Sequence, residues 1–406
     1  MTRWLRATLA GRPGWINALM VFSAYMAFVY VPWDLVWKPV AEDREVWFGI
    51  AFSGWAAKVL EIPHLAVYAA GVYGFFHMRP WMWPWASLYV AQVAVGMLVW
   101  MALRGDAGFG GLALSLAAFG AFGALALALW RARPLFEEPR PGLRERYGDW
   151  ALVTGASAGI GADFARALAR EGLSLVLVAR RGDRLRELAS ELEKTCSVST
   201  RVLAEDLSDP AAAERVAAAV DDLEVAVLVN NAGVGCAGRF SGQEPGRLRD
   251  LVLLNCVAPV VLTSLLLPKM RARGRGAVIV TGSVAGRQPL PLHAVYSASK
   301  GFDLLFGEAL AVELADDGID VLVVEPGRTR TEFQAVAGEE PPPGVSLQPA
   351  AEVVEVALDS LGRKPSVVSG WLNWLRANAV QRLVPRSLAA HLAGAVMARQ
   401  APTELR

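Results

Sequence analysis

The sequence predicts an N-terminal α-helical transmembrane bundle of about four helices, fused to an α/β doubly wound parallel-sheet domain. Composition supports this division, since the 406 residues are 54% hydrophobic and only 19% charged. Eleven of the 14 tryptophans lie before residue 131, where long uncharged runs occur. After residue 149, short apolar runs alternate with amphipathic stretches, as in a sheet covered by helices on both faces.

The apolar runs of residues 1–130 have lengths that suit a lipid bilayer, because a helix needs about 20 apolar residues to cross the hydrocarbon. Tryptophans lie at or near the ends of the runs, as in an aromatic belt. The runs are Trp15–Trp33, Ile62–Met78, Trp81–Leu103 and Ala107–Trp130. Residues 47–60 carry Lys58 and could instead form an interfacial helix that leads into the second run.

Basic residues predict the orientation of this bundle, because they precede the first run, separate the second run from the third and follow the fourth. They are Arg3, Arg6, Arg12, Arg79, Arg131, Arg133, Arg140, Arg144 and Arg146. The positive-inside rule then predicts a multi-pass membrane protein with both termini and the second domain in the cytoplasm. No cleavage site of small residues follows the first run, so we expect it to be retained.

Charge and residue spacing exclude other functions. The net charge of +1 gives no indication of nucleic-acid binding. Cys196, Cys236 and Cys256 have no metal-ligand spacing and fit a reducing compartment. His64 and His77 are separated by about 220° of helix rotation, so one helix would not direct both at a haem. We therefore expect no bound metal.

Residues 131–148 contain prolines among charges and predict a linker. Residues 149–370 then predict the α/β domain, and residues 371–406 an amphipathic tail. The predicted strands, which are rich in valine, leucine and isoleucine, are Trp150–Thr154, Leu173–Ala179, Thr200–Ala204, Val225–Asn230, Ala277–Thr281 and Ile319–Val324, with Val367–Ser369 a possible seventh. The predicted helices lie near Gly161–Glu171, Arg184–Thr195, Pro210–Asp221, Pro245–Arg271, Ala294–Ala315 and Pro349–Leu361.

A glycine-rich turn follows the first strand. Gly155, Gly159 and Gly161 have the pattern Thr-Gly-x-x-x-Gly-Ile-Gly. Glycine lets the backbone approach a phosphate closely, and a helix N-terminus favours an anion. Ser157 could also hydrogen-bond the phosphate. The pattern therefore predicts a dinucleotide site, although a plain glycine-rich turn would look the same.

Tyr296 and Lys300 are four residues apart and share one face of a helix. A lysine ammonium favours the phenolate, so the tyrosine can exchange protons below its free pKa of about 10. Ser283 could hold a substrate oxygen against that phenol. With the glycine-rich turn, these residues predict a site that moves a hydride between a nicotinamide and a carbonyl or alcohol.

Six motifs in the same order and at the same spacing make residues 149 to about 370 resemble the short-chain dehydrogenase/reductase family in its common single-domain form, which implies a Rossmann fold. The motifs are the glycine-rich turn with Ile160, Asp206-Leu207, Asn230-Asn231-Ala232-Gly233, Asn255, Ser283 with Tyr296 and Lys300, and Pro326-Gly327 with Thr331. One glycine pattern would be weak evidence, whereas six ordered motifs are specific. Residues 1–130 take no part in the resemblance, and we recognise no family there.

The resemblance implies where a cofactor lies. Asp206 and Leu207 would touch the adenine, and the small residues 231–233 would let the chain pass the adenosine. Pro326, Gly327 and Thr331 resemble the loop that holds the nicotinamide amide.

The second strand ends at Arg180 and Arg181, where an enzyme that prefers NAD usually has an acid for the ribose 2′-hydroxyl. Arginine instead suits a 2′-phosphate, which it can hold in a fork. The resemblance therefore implies NADP(H), with Arg180 as the expected contact. These arginines could instead be the solvated start of a helix.

The resemblance also implies catalytic roles. Ser283 would orient the carbonyl, and Tyr296 would donate the proton as hydride arrives. Lys300 would lower the pKa of the tyrosine and hold the nicotinamide ribose, while Asn255 bends its helix and holds a water that resupplies the proton. In many relatives the two helices that carry Asn255 and Tyr296 form the dimer or tetramer interface, so a homo-oligomer is possible, although the sequence does not give the oligomeric state.

The sequence thus predicts a membrane-anchored oxidoreductase that interconverts a carbonyl and an alcohol with NADP(H). Four helices exceed what tethering needs, which favours a lipophilic substrate. The tail could close the substrate pocket, lie on the membrane or pack on its own domain. In an alternative, the membrane part is a transporter or sensor and the dehydrogenase part responds to NADPH. Lys58, Glu61 and His64 are the only charged cluster there, fewer groups than transport sites usually show.

Overall fold

The computed structural model describes residues 13–47, 50–103, 109–136, 141–333, 337, 347–383 and 385–400. The chain separates into two compact units, Met1–Arg140 and Pro141–Arg406. Several residues used for the orientation prediction lie outside the described residues, namely Arg3, Arg6, Arg12 and Arg140. The start of the fourth apolar run, residues 107–108, also lies outside them.

The first unit is built mainly from helices. They are α1 (Gly14–Trp37, with a π-helical segment at Met26–Tyr30), α2 (Trp55–His77), α3 (Met82–Leu103), α4 (Phe109–Arg131) and the short α5 (Arg133–Phe136). Helix α1 packs against α2, and α3 packs along α4. The Ser87 hydroxyl on α3 donates to the Ala126 carbonyl oxygen on α4 at 2.7 Å, which ties these two helices together within an apolar interface.

In the described residues, four segments of this unit are long and apolar enough to cross a membrane: Gly14–Trp37, Trp55–His77, Met82–Val99 and Gly111–Arg131. Large apolar side chains on them face outward, as lipid contact would require; Phe28 is 70% exposed and Leu114 is 73% exposed. A fifth segment of this kind, Pro245–Arg273, lies in the second unit. Its apolar character has a packing explanation, because Leu262 and Met270 on it belong to the core beside the parallel sheet.

Two short strands, β1 (Arg44–Trp47) and β2 (Ile50–Ser53), pair antiparallel; this pair is called the hairpin. Helix α2 begins just after it, at Trp55, and Gly54 makes the turn with a φ of 64°. The alternative of an interfacial helix over residues 47–60 is therefore wrong for its first part, because these residues pair as strands.

The second unit contains a parallel sheet, which confirms the predicted doubly wound architecture. Among the described residues its strands are β3 (Trp150–Thr154), β4 (Ser174–Ala179), β5 (Thr200–Ala204), β6 (Val225–Asn230), β7 (Gly276–Thr281), β8 (Ile319–Glu325) and β11 (Ser366–Val368), in the order β11-β8-β7-β6-β3-β4-β5. Each predicted strand is present, within one residue of its expected bounds. A short parallel pair, β9 (Thr329–Arg330) and β10 (Gln348–Pro349), lies apart from this sheet.

The described part of the second unit also contains helices. They are α6 (Leu143–Tyr147), α7 (Gly159–Arg170), α8 (Gly182–Cys196), α9 (Ala212–Ala218), α10 (Pro245–Arg273), α11 (Ala294–Glu313), α12 (Ala350–Ser360), α13 (Trp371–Leu383) and α14 (Arg386–Gln400). Helices α7, α8 and α12 pack over one apolar core, and α9, α10 and α11 over the other. The sheet is thus buried on both faces, which accounts for its continuous valine- and leucine-rich strands.

Helix α6 lies inside the predicted linker, residues 131–148, and the linker prediction is wrong for this part. Tyr147 is 1% exposed, and its hydroxyl donates to Asp320 Oδ2 at 2.8 Å. Arg146 Nη2 donates to the same oxygen at 2.6 Å. The prolines and charges around this segment concealed an apolar pair, Leu143 and Tyr147, at helical spacing.

Candidate active site

A cleft of about 1130 Å³ lies at the carboxyl ends of the parallel strands, where doubly wound sheets bind ligands. Its lining includes these residues that the sequence singled out: Gly155, Ser157, Gly159, Ile160, Arg180, Asp206, Leu207, Asn231, Ala232, Gly233, Ser283, Tyr296, Lys300, Pro326, Gly327 and Thr331. Gly161 and Asn255 lie behind this lining and support it. The topology thus brings together residues that are up to 176 positions apart in the chain, from Gly155 to Thr331.

The glycine-rich turn joins β3 to α7. Gly155 has a φ of +68°, a conformation that glycine adopts without strain. A Cβ on Gly161 would overlap the Gly155 carbonyl oxygen, so the turn can close only with glycine there. Helix α7 begins at Gly159, and its N-terminal residues line the cleft. The turn therefore presents backbone and a helix N-terminus to the cleft, which fits a pyrophosphate.

Thr154 and Asn231 fix the strand ends beneath this turn. Thr154 Oγ1 accepts hydrogen bonds from the backbone amides of Asn231 at 2.9 Å and Ala232 at 3.0 Å. Asn231 Nδ2 donates to the Thr154 carbonyl at 3.0 Å, and its Oδ1 accepts from the Thr281 hydroxyl at 3.2 Å. Asn231 therefore ties β3, β6 and β7 together. The sequence did not indicate the part that Thr154 plays.

Asp206 follows β5 and is held by Ser208, whose amide and hydroxyl donate to its Oδ1 at 3.1 and 2.8 Å. Arg180 Nη1 lies 3.6 Å from the other carboxylate oxygen. Asp209 accepts from the Ala211 amide at 3.1 Å just before α9, so Asp206 is not required as a cap for that helix. Asp206 can therefore face a nucleobase.

Arg181 lies between the glycine-rich turn and an acidic side chain. Its Nη2 donates to Ser157 Oγ at 3.0 Å, and its Nη1 donates to a Glu332 oxygen at 2.6 Å. Arg184 Nη1 donates to the other Glu332 oxygen at 2.6 Å. These hydrogen bonds hold the pKa of the Glu332 carboxyl below its usual value. Arg181 and Arg184, which follow β4, thus already bind a carboxylate, and this fits a cofactor that carries a 2′-phosphate. Arg181 is therefore a candidate contact for that phosphate in addition to Arg180.

Helix α11 carries Tyr296 and Lys300 into the cleft. Lys300 is 5% exposed, and its Nζ donates to the Thr281 carbonyl at 2.8 Å and to Asp303 Oδ2 at 2.9 Å. The Tyr296 ring lies 5.4 Å from the Phe333 ring, centroid to centroid. This places the phenol and the ammonium on the same side of the helix, as their spacing predicts.

Asp303 is a site residue that sequence reasoning missed, although its position three residues after Lys300 could have indicated it. Burial favours the uncharged form of Lys300, but the charge and hydrogen bond of Asp303 together with the nearby Tyr296 outweigh burial, so the pKa of Lys300 is raised. Burial raises the pKa of Asp303 itself, against the opposing effect of Lys300. Asp303 therefore favours the protonated form of Lys300.

Ser283 lies just after the end of β7 in extended backbone, with a φ of −167°. Its Oγ accepts from the Ala285 amide at 3.1 Å, which fixes the side chain at the start of a short 3₁₀ helix. The hydroxyl hydrogen is left to bond another acceptor in the cleft. Ser283 can therefore donate to a substrate oxygen.

Asn255 lies in a π-helical segment, Leu253–Val257, that interrupts α10. It is 1% exposed, and its Nδ2 donates to the Val234 carbonyl and to Ser299 Oγ, both at 3.0 Å. A π-helical turn is one of the features at which helices commonly bend. Asn255 joins the loop after β6 to α11, next to the helical turn that carries Lys300.

The loop after β8 lies across the cleft. The Val284 amide donates to the Pro326 carbonyl at 3.1 Å, and the Phe333 amide donates to Thr331 Oγ1 at 3.2 Å. A Cβ on Gly327 would overlap Asn373 of α13, so the loop and α13 are in direct contact. Residues 334–336 and 338–346, beyond this loop, are not among the described residues.

Helices α13 and α14, together with Leu290, form a wall of the cleft that is mainly apolar and includes the polar residues Asn373 and Arg376. Their residues in the lining include Trp371, Leu372, Ala389, Leu392, Ala393, Val396 and Met397. His293 also lines the cleft. The tail therefore forms part of the pocket, whereas sequence reasoning had left open whether it closes the pocket, lies on a membrane or packs on its own domain.

The fold and the cleft define a dinucleotide-dependent oxidoreductase with a Ser-Tyr-Lys site. The short chain dehydrogenase family model matches residues 149–342. A 7beta-hydroxysteroid dehydrogenase from Mediterraneibacter gnavus is 32% identical over 235 residues, which cover 57% of this chain and 89% of that one. The chain belongs to the short-chain dehydrogenase family and is an enzyme of that family.

Two further relatives show the range of this similarity. A very-long-chain 3-oxoacyl-CoA reductase from Aspergillus oryzae is 40% identical over 185 residues, which cover 44% of this chain and 53% of that protein. The solved structure of a short-chain dehydrogenase from Sphingobium yanoikuyae in complex with NADPH is similar with a TM-score of 0.52 and 32% identity, covering 64% of this chain and 100% of that one. The chain thus spans about half the length of the fungal reductase it matches.

Proposed function

We propose that the protein is a membrane-anchored oxidoreductase that reduces the ketone of a long, lipophilic substrate with NADPH, with a 3-oxoacyl thioester as the first substrate class to test. The observation that carries this proposal is the apolar wall of α13 and α14 along the catalytic cleft. A wall of leucine, valine and methionine would bury an acyl chain at about 0.8 kcal/mol per CH₂. The name of the Aspergillus oryzae relative supports the same substrate class.

NADP(H) is the cofactor, and bound NADPH supplies the hydride. The glycine-rich turn would hold its pyrophosphate, and Arg180 and Arg181 its 2′-phosphate. Asp206 would face the adenine. The complex of the Sphingobium yanoikuyae relative with NADPH supports the same assignment.

In this proposal, Ser283 donates a hydrogen bond to the substrate carbonyl and orients it, and Tyr296 transfers its phenolic proton to the same oxygen. Lys300, kept protonated by Asp303, stabilises the resulting phenolate. Asn255 supports this arrangement through Ser299, one residue before Lys300. Phe333 packs on the Tyr296 ring and limits the positions that the phenol can take.

The first unit would anchor the enzyme in a bilayer through its four apolar segments, with both termini and the catalytic domain in the cytoplasm. The outward apolar side chains of these segments support that role. A homo-oligomer could form on the exposed apolar side chains of α10 and α11, which are Val257, Leu265, Phe302, Leu305 and Val312. In the alternative function, the first unit is a transporter or sensor and the dehydrogenase domain is a regulator that responds to NADPH. The Tyr296→Phe variant distinguishes this alternative from the reductase.

We expect Asp303→Asn to move the alkaline limb of the pH profile of ketone reduction to lower pH, because losing the opposite charge beside Lys300 lowers the lysine pKa. Initial rates of NADPH oxidation between neutral and alkaline pH would measure this shift. Glu313→Gln, an exposed acid on the same helix, is the matched control and should leave the profile unchanged. An unchanged profile in Asp303→Asn would show that Asp303 does not set the protonation of Lys300.

Substrate chain length gives the direct test of the proposed substrate class. We expect kcat/KM for NADPH oxidation by the full-length protein in nanodiscs to rise with acyl length in a series of 3-oxoacyl thioesters. Removing apolar contacts by Leu392→Ala and Val396→Ala should flatten that rise, while Leu388→Ala, on the same helix but outside the cleft lining, should not. Equal turnover of short and long ketones would contradict a lipophilic substrate.

A further inference from the structure

Three potential metal ligands converge in the first unit, on the hairpin and on α2. Glu45 lies on β1, and Glu61 and His64 lie three residues apart on α2. Each offers one ligand atom, and these atoms all lie within 4.8 Å of one another. His64 Nδ1 is 3.6 Å from Glu45 Oε2. The cluster belongs to the first unit, whereas all the lining residues of the catalytic cleft belong to the second unit.

The neighbouring charges are balanced without this cluster. Lys38 Nζ lies 2.9 Å from Asp34 and 2.8 Å from Asp43, and Lys58 Nζ lies 3.5 and 3.3 Å from the same two carboxylates. Two lysines thus neutralise two buried aspartates. Lys58, which the sequence grouped with Glu61 and His64, belongs to this separate network.

Glu45 and Glu61 bring two carboxyl groups together in this cluster. Glu61 is 1% exposed, and among the described residues no lysine or arginine forms an ion pair with Glu45 or Glu61. A buried carboxylate beside a second carboxylate needs a cation or a proton to compensate it. A divalent ion with a neutral imidazole would bring the net charge of the cluster to zero.

We propose that Glu45, Glu61 and His64 bind one divalent transition-metal ion of the Zn²⁺ class. Nitrogen and carboxylate ligands lie about 2.1 Å from Zn²⁺, so two ligands of a tetrahedral site are about 3.4 Å apart. The separation between His64 Nδ1 and Glu45 Oε2, 3.6 Å, is close to that value. The His64 ring is already held in place, stacked on Trp47 at 4.5 Å between centroids.

The bound ion would fasten the β1–β2 hairpin to α2 and would leave a fourth position for water or another ligand. The sequence did not suggest this site, because Glu45 is distant from the other two ligands along the chain and belongs to a different element. Only the folded hairpin brings its carboxylate to the side of α2 that carries Glu61 and His64.

Metal content measured by mass spectrometry would test the site. The full-length protein in detergent would be loaded with Zn²⁺ and dialysed against metal-free buffer, and Co²⁺ would serve as a spectroscopic probe. We expect one ion per chain, with affinity at least about 100-fold lower in Glu61→Gln and His64→Ala. His77→Ala, an exposed histidine on the same helix, is the matched control and should bind as the parent does. Glu45→Gln, at a half-buried site, provides a third variant should His64→Ala fail to fold.

Three results would overturn this proposal. In the first, the parent protein would bind neither Zn²⁺ nor Co²⁺, and Glu61→Gln would retain parental thermal stability. A proton shared between Glu45 and Glu61 would then compensate the negative charge of the cluster. Alternatively, the ion would remain bound with parental affinity in folded Glu45→Gln, Glu61→Gln and His64→Ala variants. Finally, binding would be lost both in the cluster variants and in the His77→Ala control. That result would also contradict the site, because it would indicate a general effect of changing α2.

Discussion

Replacing Tyr296 with phenylalanine is expected to lower kcat for ketone reduction by about 10²- to 10⁴-fold, the usual contribution of a positioned proton donor. Phenylalanine keeps the ring and its contact with Phe333 but removes the hydroxyl. NADPH affinity should therefore remain close to that of the parent. Initial rates with a long-chain 3-oxoacyl substrate, together with NADPH binding by fluorescence, would separate these two effects.

Tyr147→Phe is the matched control for this change. It also removes a tyrosine hydroxyl from the second unit, but that hydroxyl bonds Asp320 outside the cleft. It should cost stability and leave kcat unchanged. Parental turnover in Tyr296→Phe would contradict the proposed acid. The sensor alternative instead predicts that changes at Lys58 alter the response to NADPH while Tyr296→Phe does not.

Replacing Arg180 and Arg181 with alanine should sharply reduce the preference for NADPH. A hydrogen bond to a charged group contributes about 1.5–3 kcal/mol, so each arginine that holds the 2′-phosphate is expected to account for about 10- to 100-fold in kcat/KM. The same variants should change kcat/KM for NADH little, because NADH lacks that phosphate. The ratio of the two kcat/KM values is therefore the quantity to measure.

Arg186→Ala controls for the loss of positive charge on α8, since its guanidinium pairs with Asp183 away from the cleft lining. The single variants would also distinguish the two candidate contacts. The sequence indicated Arg180, whereas Arg181 already holds Ser157 and Glu332. If neither single variant nor the double variant changed the ratio of NADPH to NADH, the 2′-phosphate would have to be held elsewhere.

The fold of the second unit could be predicted from the sequence because its strands are continuous apolar runs and its motifs are local. The spacing of Tyr296 and Lys300 follows from helical geometry alone. Asp303 could have been found in the same way. By contrast, the hydrogen bonds of Thr154 and the contact of Asn373 with Gly327 depend on tertiary packing, which periodicity does not encode.

The predictions that failed also have physical reasons. Residues 143–147 form a helix because Tyr147 is buried by partners as distant as Asp320, which local composition cannot indicate. The strands Arg44–Trp47 and Ile50–Ser53 have four residues each. An alternation of apolar and polar residues over so short a run cannot be distinguished from the pattern of an interfacial helix. The sequence predicted an amphipathic tail over residues 371–406. The position of α13 and α14 at the cleft could not be predicted, because it depends on tertiary contacts such as that between Asn373 and Gly327.

Transfer of deuterium from the nicotinamide of labelled NADPH to substrate tests the central claim most directly. The full-length protein in nanodiscs would be given NADPH labelled with deuterium on the reactive face and a long-chain 3-oxoacyl thioester, and the product would be analysed by mass spectrometry. We predict one deuterium on the carbon that was the ketone, and formation of the labelled product about 10²- to 10⁴-fold more slowly by Tyr296→Phe. Tight NADPH binding without labelled alcohol from any long-chain ketone would contradict the proposed reductase.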